Sequence, residues 1–346
     1  MGAGQEYADT NQQGEIISLF TLRNSSGTEV KISNYGATIT SFRITGKDGM
    51  RNDIVLGFDR MEDYLSPAYL AQYPWFGCAV GRYANRISNA RFSLDGKTYQ
   101  LTNNNGPHQL HGGRSGFDKK VWKLVDLGES PFPFVHLSYL SRDGDEGYPG
   151  NLDASIWFEL NDKNELRHSY SATTDQPGPC NLTHHSYFNL NNGSGDIFDH
   201  EVKIHASHTL EQDDQLVATG NIIPVEGTAY DLRSFRKIGE GLKQIPEYDK
   251  SFSVDQADGK MKLVAEARYA PREIGLQVFS TEPIVHFYSG KWTPEVKGKG
   301  GTPYGPWSGF CLETHIHPNA VNIPSFPNTI LRPGEVYRQD TIYKIV

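Results

Sequence analysis

The sequence predicts an all-β protein, a large antiparallel β-sandwich with a few short helices. Three observations predict it. Glycine (35), proline (19) and aromatic residues (12%) are abundant among the 346 residues, which suits many short strands joined by many turns. From residue 15 onward, turn signals recur at short intervals between alternating apolar and polar residues. No long stripe with the 3.6-residue helical period is present.

The elements follow in order. The first 14 residues are polar and are expected to form a frayed end or a loose strand. Residues 29–32 alternate with period two, as a half-buried strand does. Asp59 and Glu62 have the spacing of a capping box, opening a short helix through Tyr64 and Leu65 that Pro67 ends. Residues 91–99 form a hairpin around Asp95-Gly96, a strong two-residue turn signal. Residues 161–164 separate two further strands, 156–160 and 166–172, with Leu166, His168 and Tyr170 on one face of the second. Residues 201–206 alternate again, and 237–244 suit a short helix. Pro333-Gly334 turns into a strand over 335–337, and 341–346 forms the last. No linker or low-complexity run divides the chain, so residues 1–346 are expected to form one domain.

Composition narrows the function. Lys and Arg number 33 against 41 Asp and Glu, a net charge of −8. Phosphate backbones favour a cationic excess, so nucleic acid is not an expected partner. No run approaches the ~18 apolar residues of a membrane-spanning helix. The polar N-terminus predicts no secretory signal, and Glu6 breaks the myristoylation pattern that Gly2 would begin. Cys78, Cys180 and Cys311 are too few and too widely spaced for a disulfide framework or a zinc ribbon. A reduced, cytoplasmic protein is expected. The glycosylation sequons at Asn24, Asn181 and Asn192 would matter only in a secreted chain.

Five segments place polar side chains among glycines or aromatics. In 81–87, Arg86 offers a planar donor fork and Asn85 both a donor and an acceptor; a surface ion pair is the plainer use of Arg86. In 108–113, two glycines after His111 allow close backbone approach, to a ligand or to another segment; the histidine alone suits a backbone hydrogen bond in a turn. In 181–190, His184 and His185 face opposite sides of a strand, so one at most meets a given pocket. In 248–252, Asp249 stands between aromatics, where a turn cap is the simpler role. In 310–318, Glu313 begins in apolar surroundings, and carboxylates are rarely buried without a task or a partner. His315 and His317 share a strand face and suggest a metal. The cupin-type pattern would need a carboxylate shortly after them, and Pro318-Asn319-Ala320-Val321 follows instead. No metal is therefore expected. Histidines, a glutamate, an aspartate and an arginine on a β scaffold suit proton transfer on a neutral polar ligand or glycoside hydrolysis by two carboxylates, and spacing does not choose between them.

Taken together, the segments resemble the aldose 1-epimerase (galactose mutarotase) family from about Ile17 to the end. The matching pieces are Asn34-Tyr35-Gly36-Ala37, residues 81–87, Leu110-His111-Gly112-Gly113 with Gly116-Phe117-Asp118, 181–190, Tyr248-Asp249, Phe287-Tyr288-Ser289-Gly290, 309–314, and Leu331-Arg332-Pro333-Gly334-Glu335. The resemblance implies a mutarotase-like supersandwich. It also implies an isomerase that interconverts α and β anomers of free hexoses such as galactose and glucose, without a cofactor. In that family a base takes the proton from the C1 hydroxyl while an acid protonates the ring oxygen. The resemblance assigns Glu313 as base and His185 as acid, with unperturbed pKa values that bracket the range just below neutrality. It places His111 near the ring oxygen, Asn85 and Arg86 on sugar hydroxyls, and Asp249 on hydroxyls farther from C1. His286 stands where the family often has Gln, and His184 where Asn is usual; His286 is expected to touch the sugar and His184 to affect packing. Hexose-6-phosphate epimerisation and non-catalytic sugar binding are the alternatives. The expected partner is a monosaccharide, and the protein a monomer or homodimer.

Overall fold

The structure, a computed structural model, describes residues 1–46 and 49–346. Two antiparallel sheets form the body. The larger has nine strands, in the order Lys123–Gly128, Phe134–Ser141, Leu152–Leu160, Glu165–Thr174, Tyr337–Ile345, Ile274–Ser280, Lys262–Tyr269, Glu201–Ile204 and Arg236–Lys237. The second has six, in the order Tyr187–Phe188, Phe310–His315, Ile284–Tyr288, Asp249–Ser253, His208–Gln212 and Ala218–Pro224. Alternation explains how they pack. Along Leu152–Leu160 every second side chain is buried. Ile156 and Phe158 share one core with Val285, Phe287, Phe310 and Leu312 of the six-stranded sheet. Phe20, Val30 and Phe42 extend that core into a five-stranded sheet made of Gly2–Thr10, Ile16–Arg23, Glu29–Ser33, Thr38–Thr45 and Arg51–Asp53.

The predicted hairpins form. Leu94 pairs with Lys97 around Asp95 and Gly96, both at positive φ, and Leu160 pairs with Leu166. The helix predicted over 237–244 is present as Ile238–Gly241. Four expectations need correction. The first residues are a paired strand, Gly2–Thr10 lying antiparallel to Ile16–Arg23. The Asp59/Glu62 capping box does not form: the helix is Met61–Tyr64, and its N-cap is Arg60 without a side-chain cap. Pro67 begins a second helix, Pro67–Ala71, where Ser66 Oγ accepts from the Tyr69 N–H. Proline suits that first position because its missing N–H would lack a helical partner anyway. At the other end, Tyr337–Ile345 is one strand rather than two.

Among the described residues no helix is long and apolar enough to cross a membrane. Asn24 and Asn181 are buried, and the Asn181 amide is spent on the backbone N–H and C=O of Ile316.

Candidate active site

The six-stranded sheet turns one face to the core, so the alternate residues look the other way. Leu312 and Phe310 enter the core, leaving Cys311 and Glu313 on the opposite face. Phe287 and Phe252 do the same for their strands. Antiparallel register then sets two rows side by side. One is Ser251–His286–Glu313 and the other is Asp249–Tyr288–Cys311–Tyr187.

Loops supply the remaining groups. His185 is fixed by its backbone, which donates to the Cys78 carbonyl and accepts from the Gly77 N–H. His184 points the other way, between Ser186 Oγ and the Ala37 carbonyl and against Phe158, as strand alternation predicts. Asn85 and His111 clasp each other: the His111 N–H donates to the Asn85 carbonyl, and the Asn85 N–H donates to His111 Nδ1 at 3.3 Å. His111 therefore makes the backbone bond expected of a turn histidine, and Nε2 is left to carry the ring proton. The glycine after it serves chain packing, since a Cβ at Gly112 would overlap the Gly81 carbonyl oxygen. Arg86 Nε donates to Asn105 Oδ1, and Arg86 makes no ion pair among the described residues. Asp249 is no turn cap. It lies on a strand with Oδ1 2.9 Å from His286 Nε2.

Asn85, Arg86, His111, His185, Asp249, His286 and Glu313 all line one cavity of about 590 Å³. Its wall and mouth add Trp75, Tyr187, Tyr288, Trp292, Asp214 and Gln215, which sequence reasoning missed. Only the period-two pattern around Glu313 and Asp249 could have found Tyr187 and Tyr288. Trp75, Trp292 and the Asp214-Gln215 loop carry no local signal.

Glu313 and His185 meet at the cavity floor, Oε1 3.5 Å from Nε2. Glu313 Oε2 is buried without a hydrogen-bond partner among the described residues. Burial, reinforced by Asp249, raises the Glu313 carboxyl well above its usual range. Burial pushes His185 down to about 3. Burial and then His185 hold His111 well below its ordinary value. Burial also works to raise Asp249, but its hydrogen bond to His286 and the nearby His286 and Arg86 charges outweigh it, so that carboxyl lies low. Burial thus biases the Glu313–His185 pair toward its uncharged form, with the shared proton on the carboxyl. The unperturbed values assumed from sequence do not apply.

One ligand atom each from His111, His185 and Glu313 lie within 4.8 Å of one another, a spacing that suits a metal. The group behind His111 does not. Metal-binding histidines donate their second ring N–H to an acceptor, whereas His111 Nδ1 is met by the Asn85 N–H donor. His315 and His317 lie outside the cavity lining: His315 Nδ1 meets the Ile316 carbonyl at 2.6 Å, and His317 packs on Phe326.

Comparison with known proteins identifies the family. Residues 18–344 match the family model described as aldose 1-epimerase. The rat galactose mutarotase is 44% identical over 98% of this chain and 96% of its own length. The aldose 1-epimerase of Escherichia coli K12 is 36% identical over 96% of each. Among solved structures, an aldose epimerase homologue from C. elegans superposes with a TM-score of 0.87 at 31% identity, over 95% of this chain and 98% of that one. A galactose 1-epimerase from Lactobacillus acidophilus gives 0.86 at 25% identity, over 100% and 98%. The chain belongs to the aldose 1-epimerase family.

Proposed function

We propose that the protein is an isomerase, an aldose 1-epimerase that interconverts the α and β anomers of free hexoses such as galactose and glucose without a cofactor. The observation that carries this is the buried Glu313–His185 pair, a carboxylate oxygen and an imidazole nitrogen 3.5 Å apart in one cavity. In the reactive form the shared proton sits on His185. The C1 hydroxyl gives its proton to Glu313 as the C1=O bond forms, the bond from C1 to the ring oxygen breaks, and the ring oxygen takes the His185 proton. Rotation about C1–C2 and the reverse transfers close the other anomer. Ring opening leaves Glu313 protonated and His185 neutral, the form that burial favours. A raised carboxyl is a stronger base and a lowered imidazolium a stronger acid, so both shifts drive the opening step. His111 Nε2–H supports the ring oxygen, and Asn85, Arg86 and Asp249 bind hydroxyls.

Charge supports a free sugar over its 6-phosphate. The cavity lining carries Asp249 and Asp214 against Arg86 alone. Lys119 is committed to Asp118 at 2.7 Å and Arg114 to the Asn103 carbonyl, and neither lines the cavity. The presence of both acid and base favours catalysis over binding alone. One chain lines the whole cavity, which suits a monomer or a homodimer of complete sites. We read residues 1–346 as one domain because the core runs through all three large sheets. The three free, buried cysteines fit a reducing cytoplasm. The test is polarimetry on freshly dissolved α-D-galactose and α-D-glucose, with the 6-phosphates as controls. Catalysed mutarotation of the free sugars is expected, and its absence would overturn the proposal.

A further inference from the structure

His185 must use one particular nitrogen. Nε2 faces Glu313 Oε1 at 3.5 Å, so Nε2 gives and receives the mobile proton while Nδ1 keeps its own. Which nitrogen does which is set by what the other one meets. Here Nδ1 meets sulfur: Cys311 Sγ lies 3.5 Å away. The thiol is fully buried. It sits two residues before Glu313 on the same face of the strand Phe310–His315, in register with Tyr187, whose ring stacks on His185 at 5.1 Å.

We propose that Cys311 is a positioning residue, its sulfur accepting from His185 Nδ1–H so that the transferable proton is confined to Nε2. This rests on the role given to His185 above. Sulfur is a weak acceptor, and the weakness matters. A carboxylate in this place would bind the imidazolium strongly and make it a poor acid. The thiol orients the ring with little such stabilisation. Burial keeps the thiol protonated, hence neutral, so it adds no charge beside the imidazole. The other titratable groups around the ring are Glu313 and His315 on the same strand as Cys311, Asp249 and His286 on the neighbouring strands, His111 on its loop, and Tyr187 and His184 on its own segment.

The test is ¹⁵N NMR of His185 in the wild-type protein, with His185→Asn to assign the signal. A protonated-type shift at Nδ1 and a lone-pair-type shift at Nε2 are expected at neutral pH. A lone pair on Nδ1 would overturn the proposal. Kinetics give a second readout. Cys311→Ala should lower kcat about tenfold, the scale of one modest hydrogen bond, with KM changed less than about twofold. Cys311→Ser should recover most of the loss, because a hydroxyl accepts too, and Cys311→Asp should move the acid limb of the pH profile upward. Equal losses in the Ala and Ser variants, both folded, would also overturn it. The NMR result does not depend on turnover, so failure of the catalytic assignment, seen as normal activity in His185→Asn, is distinguishable from failure of this one.

Discussion

The imidazole of His286 is clasped at both nitrogens, with Nε2 2.9 Å from Asp249 Oδ1 and Nδ1 2.9 Å from Ser251 Oγ. Neither nitrogen is left over for a ligand of its own, apart from a longer contact of 3.4 Å from Nδ1 to the Asn85 amide. In the proposed mechanism the ring acts on the sugar through Asp249, whose second oxygen remains for a hydroxyl. His286→Gln is expected to loosen that carboxylate and change KM or the galactose-to-glucose ratio, leaving the shape of the pH profile intact. Steady-state kinetics on both sugars decide it. Abolished turnover here, with His185→Asn still active, would move the acid to His286.

Glu313→Gln retains size and hydrogen bonding but takes no proton. A loss of at least about a hundredfold in kcat is expected, the usual cost of a missing general base. Burial disfavours the ionised carboxyl, so an uncharged amide of the same shape should not lower the melting temperature at pH 7. Near-normal turnover would refute the assignment of Glu313.

Chelation should be without effect. The donor facing His111 Nδ1 opposes the ring tautomer that a metal bound at Nε2 would require. Mutarotation measured after EDTA and dialysis should match the untreated enzyme. Loss reversed by zinc or manganese would show that a metal is held despite that geometry.

Much of this site is legible in the sequence because strand alternation is a strict rule. Once residues 310–315 are a strand with Phe310 and Leu312 in the core, Glu313 must face the other way. The same rule separates His184 from His185. What sequence alone does not reveal is register and loop approach. That Ser251, His286 and Glu313 form one row depends on how strands distant in the chain align. Trp75 enters the cavity wall from a backbone at φ 56°, which no local signal specifies for a tryptophan. The electrostatics stay hidden too, because burial decides them: it raises Glu313 and lowers His185 away from their ordinary values. The helix near Met61 departs from expectation for a local reason, since Ser66 and Pro67 make a better start than a stop.

Stability should fall in mild acid. Burial lowers His168 well below its ordinary value, His184, His200 and His317 to about 4, and His315 to about 3. The unfolded chain protonates these groups near 6.5, whereas the folded chain does not. Between those values the unfolded state binds more protons, so stability rises with pH and is lost as pH drops below about 6.5. Each group contributes a slope of about 1.4 kcal/mol per pH unit. Urea unfolding at pH 7, 6 and 5 should show a steep fall, and His168→Phe should reduce the slope by about one proton. A flat profile would mean that these rings are protonated in the folded protein.

The activity profile tests the same electrostatics where they matter for catalysis. The active form has one proton on the Glu313–His185 pair, whichever partner holds it, so kcat/KM should be bell-shaped, with limbs that belong to the pair. Adding a second proton charges His185 inside the cavity, and burial holds that step down at about 3. Removing the last proton charges Glu313 beside Asp249, and burial holds that step well above the ordinary carboxylate range. Both limbs are thus pushed outward, and the plateau should be wider than unperturbed Glu and His values allow. In His185→Asn the acid is gone, and residual turnover needs ionised Glu313. That variant should lose most of its rate and its alkaline limb, keeping a single rise through the elevated Glu313 value. A narrow bell centred near pH 5.5 in the wild type, between the ordinary values of about 4.3 and 6.5, would show that the cavity does not perturb the pair, and the account of how burial drives ring opening would fail with it.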